Sequence, residues 1–324
     1  MTGRAKKISS YLLKLTILIL LFWFVYDRIV KDNKNLHEFW NLVSGLDRTV
    51  VIITMVAVVL LMFVNWGLES LKWRYLTRLL YQMTLWQATE CVFCGLTWAI
   101  FTPNRLGEFG GRVMFLPNRK RIHGVFAMAV GSFGQNVVTN VLGAGALVWF
   151  LYTYLHLSII IMAGVTSMAF IFIVLMLVFY FHIRWMVSLL NSIKFLKKFH
   201  RFFEIMGKYK TAELLDIMWF CLARFLVFTF QYYLIIHMLV PEVPIIQMIL
   251  IMFVFFFINY AIPSLDMLDI GVRSFTAGTL FSYVTHQTIA IVVAVSLIYI
   301  INLVIPAILG SAFVLKTKFF DRTA

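Results

Sequence analysis

Two short polar stretches interrupt an otherwise apolar sequence, and each places arginine beside a carboxylate. The first reads TPNRLGEFGGR from Thr102, and the second reads IPSLDMLDIGVR from Ile262. The candidate binding residues are Arg105, Glu108 and Arg112 in the first stretch and Asp266, Asp269 and Arg273 in the second. Guanidinium groups remain charged and offer paired N–H donors that suit phosphate. We therefore expect anion binding. The alternative is that the acids only neutralise the arginines and hold each stretch closed.

The backbone of both stretches is also unusual. Pro103, Gly107 and Gly110 lie in the first stretch, and Pro263 and Gly271 lie in the second. Proline removes a backbone donor, and glycine permits close approach or unusual dihedral angles. Non-helical backbone at membrane depth is tolerated where it lines a cavity. Both stretches keep the order Pro, acid, x-Gly-x-Arg, with the acid one residue farther from the proline in the second. We interpret them as two copies of one hairpin.

Arg224 is a third candidate, because it lies eleven residues into an apolar run that covers 213–240. A charged side chain near the middle of a membrane is costly and needs an internal partner. Asp266 or Asp269 could supply that partner, and so could the phosphate of a substrate. The sequence leaves both possibilities open.

The composition indicates whether these charged residues are surrounded mainly by water or by lipid. Of 324 residues, 62% are hydrophobic and 13% are charged, against about a quarter charged in a soluble domain. The 28 Lys and Arg residues give a net charge of +14, but they lie in short segments between apolar runs. That distribution is typical of the positive-inside rule and of contact with anionic lipid, not of nucleic-acid binding. We expect an all-α polytopic membrane protein with membrane lipids as partners.

The sequence offers little support for metal, redox or nucleophilic chemistry. Cys91 and Cys94 have CxxC spacing, but no second pair or nearby histidine supplies further zinc ligands. The histidines form no HExxH motif. We therefore predict no metal, no cofactor and no catalytic residue, and no soluble domain large enough for an ordinary enzyme.

The lengths of the apolar runs predict the topology, since a span needs about 20 apolar residues. Six runs are long enough: 8–29, 49–68, 122–152, 157–183, 213–240 and 287–315. Basic residues before the first run, after the last run and at 69–90 and 184–210 place those segments in the cytoplasm, so both termini lie on the cytoplasmic side of the plasma membrane. Six crossings satisfy every connection only if the two short segments are re-entrant. The hairpin at 88–118 then opens from the cytoplasm, and the hairpin at 245–284 opens from the exterior.

This layout predicts one membrane domain, 1–324, built from inverted repeats. Its parts are a first helix and external loop at 1–48, a first repeat at 49–152, a connecting helix and basic cytoplasmic segment at 153–210, and a second repeat at 211–324. In such folds, broken helices meet near the bilayer midplane and form the binding site. The basic segment 184–210 is either an amphipathic helix on the inner leaflet or a simple connector.

At these motifs the sequence resembles the lysylphosphatidylglycerol synthase transmembrane-region family, the flippase-like membrane domain of the multiple-peptide-resistance factor. The resemblance rests on TPNRLGE at Thr102–Glu108, on the Pro263 hairpin that leads to Gly271, Val272 and Arg273, and on Pro306 and Gly310 in the last run. It implies a membrane domain that moves an anionic, aminoacylated or polyisoprenoid-linked lipid between leaflets. The family's second hairpin usually ends in Glu after G-V-R, where this chain has Ser274.

Three functions remain open. The leading hypothesis is a lipid translocator that binds a headgroup at the midplane hairpins. The second is a membrane-embedded transferase acting on a lipid-linked substrate, because Asp266, Asp269, Gly271 and Arg273 resemble part of the CDP-alcohol phosphotransferase motif. That motif requires further acids downstream, and the only acid after Arg273 is Asp321. The third is a non-transporting assembly partner of a lipid or glycan synthesis enzyme.

Overall fold

The computed structural model describes residues 44–100, 102, 105–193, 200–262 and 266–314, and it describes side chains in the last range from 271 onward. The predicted first crossing at 8–29 lies outside the described residues, as do Pro103 and Pro263 and the side chains of Asp266 and Asp269.

Throughout the described ranges the regular structure is helical. The α-helices are α1 (Arg48–Thr77), α2 (Leu85–Ala99), α3 (Leu106–Val113), α4 (Arg121–Phe150), α5 (Ile159–Phe181), α6 (Ile183–Ser192), α7 (His200–Phe203), α8 (Thr211–Leu239), α9 (Ile245–Ala261), α10 (Asp266–Phe281), α11 (Thr288–Tyr299) and α12 (Ile305–Val314). A π-turn at Leu151–Leu155 extends α4, another at Ile300–Val304 joins α11 to α12, and 3-10 turns lie at Asn118–Lys120 and Glu204–Lys208.

Four helical stretches in the described part of the chain are long and apolar enough to cross a membrane. They are Arg48–Thr77, Asn118–Leu155, Ile159–Phe181 and Thr288–Val314. They coincide with four of the predicted crossings and confirm an all-helical membrane protein. Helix α8 has 29 residues, a length of roughly 44 Å. Its assignment as a crossing stays a prediction, as do the total of six crossings and the two re-entrant hairpins.

The first of these helices runs farther than predicted. Helix α1 continues to Thr77, past residue 68, where the sequence suggested a cytoplasmic connection. The polar residues that suggested an end are satisfied within the protein: Ser70 donates to the carbonyl of Trp66 at 2.8 Å, and Thr77 donates to that of Trp73 at 2.9 Å. Glu69 and Lys72 form an ion pair. Because these polar groups are hydrogen-bonded or paired within the protein, the helix can continue beyond the end of the apolar run.

Helices α2 and α3 pack closely against each other on either side of Thr102. A Cβ atom at Gly107 would collide with the carbonyl oxygen of Trp98 and lie 2.8 Å from the Thr102 hydroxyl, and one at Gly111 would lie 2.7 Å from the Cα of Gly95. The Gly107 amide donates to the Thr102 hydroxyl at 2.6 Å. These glycines allow the two helices to approach within backbone contact.

Two other glycines grouped with the hairpin backbone from sequence behave differently. A Cβ at Gly110 or Gly271 would meet no atom within 4 Å, and neither has a positive φ. Close approach and unusual dihedral angles therefore do not explain glycine at these two positions.

The described chain repeats one order of elements, a long helix, two shorter helices and a long helix. The first set is α1 to α4, and the second is α8, α9, α10 and the stretch Thr288–Val314. Helix α1 packs against α8, α2 packs against α12, and α9 packs against α4. Each set thus places its first short helix against the last long helix of the other set.

Two glycines lie at the equivalent contacts. A Cβ at Gly310 would collide with the carbonyl oxygen of Phe93 in α2, and one at Gly143 would lie 3.1 Å from the carbonyl oxygen of Phe253 in α9. Gly143 and Gly310 lie equally far from the first residues of their stretches, Arg121 and Thr288, and Phe93 and Phe253 lie equally far from the starts of α2 and α9. Small residues permit this kind of close helix contact in membranes.

Candidate functional site

Arg112 is a buried cation at the centre of the candidate site. Its side chain is 2% exposed, its Nη1 lies 2.6 Å from Glu69 Oε1, and its Nη2 donates to Glu108 one turn earlier on α3. The indole ring of Trp73 lies 5.8 Å from the guanidinium carbon. A Cβ at Gly95 would lie 2.8 Å from Arg112 Cγ. The glycine contact between α2 and α3 therefore makes the space in which Arg112 lies.

Glu69 on α1 joins three cations. Besides Arg112, its carboxylate accepts from Arg224 Nη1 on α8 and lies 2.8 Å from Lys72 Nζ. Its side chain is 5% exposed. A buried charge is retained when it is paired and hydrogen-bonded, and here a single carboxylate holds cations from three helices together.

The structure gives Arg224 partners that the sequence did not suggest. Arg224 pairs with Glu69, and its Nε donates to Asn65 Oδ1 at 2.9 Å. The ring of Trp66 lies 5.2 Å from its guanidinium carbon. Both acceptors belong to α1, because α1 and α8 pack along each other. The pairing with Asp266, Asp269 or a substrate phosphate that the sequence suggested stays a prediction.

Lys72 also differs from its predicted place. Its basic charge suggested a cytoplasmic connection, yet its side chain is 3% exposed and its Nζ lies 3.9 Å from Cys221 Sγ as well as beside Glu69. Lys72 lies four residues beyond the predicted end of the crossing at 68. Its charge is nevertheless internal, because Glu69 is one helical turn away. Lys72 is therefore part of the site.

Arg105 lies at the outer end of this network. It precedes α3 with a left-handed φ of 57°, which is uncommon for a residue other than glycine, and its side chain is 39% exposed. Its Nη2 lies 3.3 Å from Glu108 Oε2. The side chains form a gradient from half-exposed Arg105, through Glu108 at 12% exposure, to buried Arg112.

The network carries an excess of positive charge. The cations are Lys72, Arg105, Arg112 and Arg224, and the acids are Glu69 and Glu108. Four cations against two acids leave a formal charge of +2. In the described part of the chain, Arg105 Nε and Arg112 Nε are buried without a hydrogen-bond acceptor, and the ion-pair contact of Arg105 Nη2 with Glu108 lacks hydrogen-bond geometry. Buried charged groups without acceptors are costly, so this arrangement favours an anion.

Residues 266–273 of the second polar stretch form the start of α10. Arg273 is half-buried on this helix. Because the side chains of Asp266 and Asp269 lie outside the described residues, the structure does not place these predicted site residues relative to Glu69. Within the described ranges there is no group of three or more His, Cys, Asp or Glu residues that could hold a metal ion.

Sequence reasoning missed Asn65 and Glu69 and misplaced Lys72. A signal was present, because residues 65, 69 and 72 follow the i, i+4, i+7 spacing that puts three side chains on one helix face. A polar stripe of this kind in an apolar helix indicates an internal polar surface. The assumed end of the crossing at 68 separated Glu69 and Lys72 from Asn65 and concealed the stripe.

The comparisons with known proteins identify one family. The model of the family described as Lysylphosphatidylglycerol synthase TM region matches residues 11–310. No curated protein and no solved structure matches the chain.

Proposed function

Because the chain belongs to the lysylphosphatidylglycerol synthase transmembrane-region family, we propose that it moves a lipid between the leaflets of the plasma membrane. In this proposal the first hairpin binds the lipid headgroup. The observation that carries it is the buried ion network with a formal charge of +2 around Arg112 and Glu69.

A lipid phosphate would supply the negative charge and the hydrogen-bond acceptors that this network lacks. The buried Nε groups of Arg105 and Arg112 have no hydrogen-bond acceptor within the described residues, and arginine donors match phosphate oxygens well. Coulombic attraction is strong where water is excluded, so an anion here would be held more firmly than at the surface. The exposed position of Arg105 supports a route in which the headgroup meets Arg105 first and then the interior arginine.

The repeated order of helices supports a rocking mechanism. We propose two oppositely oriented re-entrant hairpins, with Asp266, Asp269 and Arg273 forming the second half of the site. The equivalent close contacts at Gly143 and Gly310 are places where one half can pivot on the other. Alternating access in such folds is largely a rigid-body movement of one repeat against its partner around a fixed site.

The test is a lipid-translocation assay in liposomes that contain the purified protein and a fluorescent phosphatidylglycerol. Dithionite bleaches only the fluorophores in the outer leaflet, so a translocator increases the bleached fraction above that of protein-free liposomes. We expect the wild-type protein to do so and Arg105→Gln to do so far more slowly. Arg119→Gln is the matched control, because Arg119 is exposed. Bleaching by the wild-type protein equal to that of protein-free liposomes, across phosphatidylglycerol, aminoacylated and polyisoprenoid phosphate lipids, would refute lipid movement.

A further inference from the structure

Helix α6 begins immediately after the apolar helix α5, at the end of a stretch that can cross the membrane. One residue separates them: His182, with φ −104° and ψ 46°, ends α5 and donates its amide to the Val178 carbonyl at 2.9 Å. Helix α6 therefore starts at the depth where a crossing meets the membrane surface. Its ten residues are Ile183–Ser192.

One side of α6 packs against the protein. Ile183 is buried, and Met186, Val187 and Leu190 pack against the main hydrophobic core. These positions follow helical spacing, so they occupy one face. This face already anchors α6 to the protein. A helix that only connected two crossings would not need apolar residues elsewhere on its surface.

The remaining surface of α6 has an apolar edge and a polar edge. Trp185 is 54% exposed and Leu189 is 57% exposed, one turn apart, while Arg184, Ser188 and Ser192 are exposed on the adjoining edge. Successive residues in a helix are about 100° apart, so the neighbours Ser188 and Leu189 point in clearly different directions. Helix α6 thus has three environments around its circumference: protein, an exposed apolar edge and an exposed polar edge.

The surroundings of this helix are basic. The exposed cations in the described part of the segment are Arg184, Arg201, Lys208 and Lys210. Arg184 Nε donates to the Gly207 carbonyl at 3.2 Å, which holds α6 beside the turn that carries Lys208. Residues 184–210 contain seven Lys and Arg residues and one acid, Glu204. Basic residues next to a crossing attract the anionic lipids of the cytoplasmic leaflet.

We propose that α6 lies in the headgroup region of an anionic leaflet, with Trp185 and Leu189 directed into the acyl boundary and Ser188 and Ser192 directed towards water. Tryptophan prefers this interface because its ring is largely apolar and its N–H is polar. The partner is the lipid surface itself, and the interaction is independent of what the hairpin site transports.

Labels attached to one added cysteine, at either of two adjacent residues, test the proposal. The full-length protein carries either Leu189→Cys or Ser188→Cys with a nitroxide label, and it is placed in nanodiscs of phosphatidylcholine with or without phosphatidylglycerol. The native Cys91, Cys94 and Cys221 are buried, so unsubstituted protein gives the labelling background. Collision rates with oxygen and with a water-soluble nickel chelate report the depth of each label by electron paramagnetic resonance.

We expect the oxygen-to-nickel collision ratio to be several-fold higher at 189 than at 188, and to rise further at 189 when phosphatidylglycerol is present. Equal, water-like ratios at both positions would show a solvated connector and overturn the proposal. Equal ratios at 189 in both lipid mixtures would overturn the role assigned to anionic lipid. Correct folding of each variant is checked by its elution profile in detergent and by its thermal unfolding.

Discussion

Arg112 on α3 lies 2.6 Å from Glu69 on α1, the long helix that precedes α2 and α3. Arg224 approaches the same carboxylate from α8. One acid thus ties α3 to long helices from both repeated sets. The contact fixes Arg112 in the protein interior while leaving the network with more positive than negative charge.

Replacing Glu69 with Gln should destabilise the protein strongly. The change keeps the shape of the side chain but leaves Arg112, Arg224 and Lys72 without their shared counter-ion, and removal of one partner from a buried ion pair costs about 3–5 kcal/mol. Thermal unfolding in detergent measures the loss. The matched control is Glu213→Gln at the exposed pair with Arg78, where we expect a change of about 1 kcal/mol or less. Similar small changes in both variants would contradict the central role of Glu69.

Replacing Arg105 with Gln should weaken lipid binding while changing the stability of the protein little. Arg105 is 39% exposed and contacts only one acid of the network, so we expect a stability loss of less than about 1 kcal/mol. The variant should nevertheless retain less phosphate-bearing lipid after purification. Mass spectrometry of the co-purified lipids measures this retention against wild type and against Arg119→Gln. Retention equal to wild type would show that Arg105 does not contact the headgroup.

Alanine at two nearby glycines of α4 should have clearly different effects on stability. Gly143→Ala places a methyl group against Phe257 and near the Phe253 carbonyl, so we expect a loss of about 1–3 kcal/mol from overpacking. A Cβ at Gly145 meets no atom within 4 Å, so Gly145→Ala should be neutral or stabilising by up to about 1 kcal/mol. Unfolding temperatures of the two variants provide the comparison. Gly310→Ala should behave like Gly143→Ala if the two contacts are equivalent.

The native cysteines should resist maleimide labelling while the protein is folded. All three are fully buried, and thiol reactivity requires an accessible thiolate. Mass spectrometry should show little modification in mild detergent and three modified sites after denaturation in sodium dodecyl sulfate. Ser188→Cys supplies an exposed control that should react rapidly. Fast labelling of Cys221 in folded protein would mean that Lys72 and its neighbours are open to water.

Local features of the hairpin could be inferred from the sequence because they depend on nearby residues. Glu108 and Arg112 are four residues apart, which places them on one helix face. Arg105 comes three residues before Glu108, and the structure brings all three together. Gly107, four residues after Pro103, was likewise a position where the sequence suggested close backbone approach, and α2 and α3 do approach each other there. The apolar runs by themselves determined that most of the chain lies in lipid, since too few polar residues are present to cover a water-soluble surface.

The tertiary structure decided which charges meet. Glu69 is separated from Arg112 by 43 residues and from Arg224 by 155, and no local periodicity relates such distant positions. Their contact depends on how α1, α3 and α8 pack, and the glycine contact between α2 and α3 leaves the space for Arg112. Lys72 is internal for the same reason: its position in the protein follows from a carboxylate one turn away and from the helices packed around it, whereas its residue type alone indicates a cytoplasmic surface.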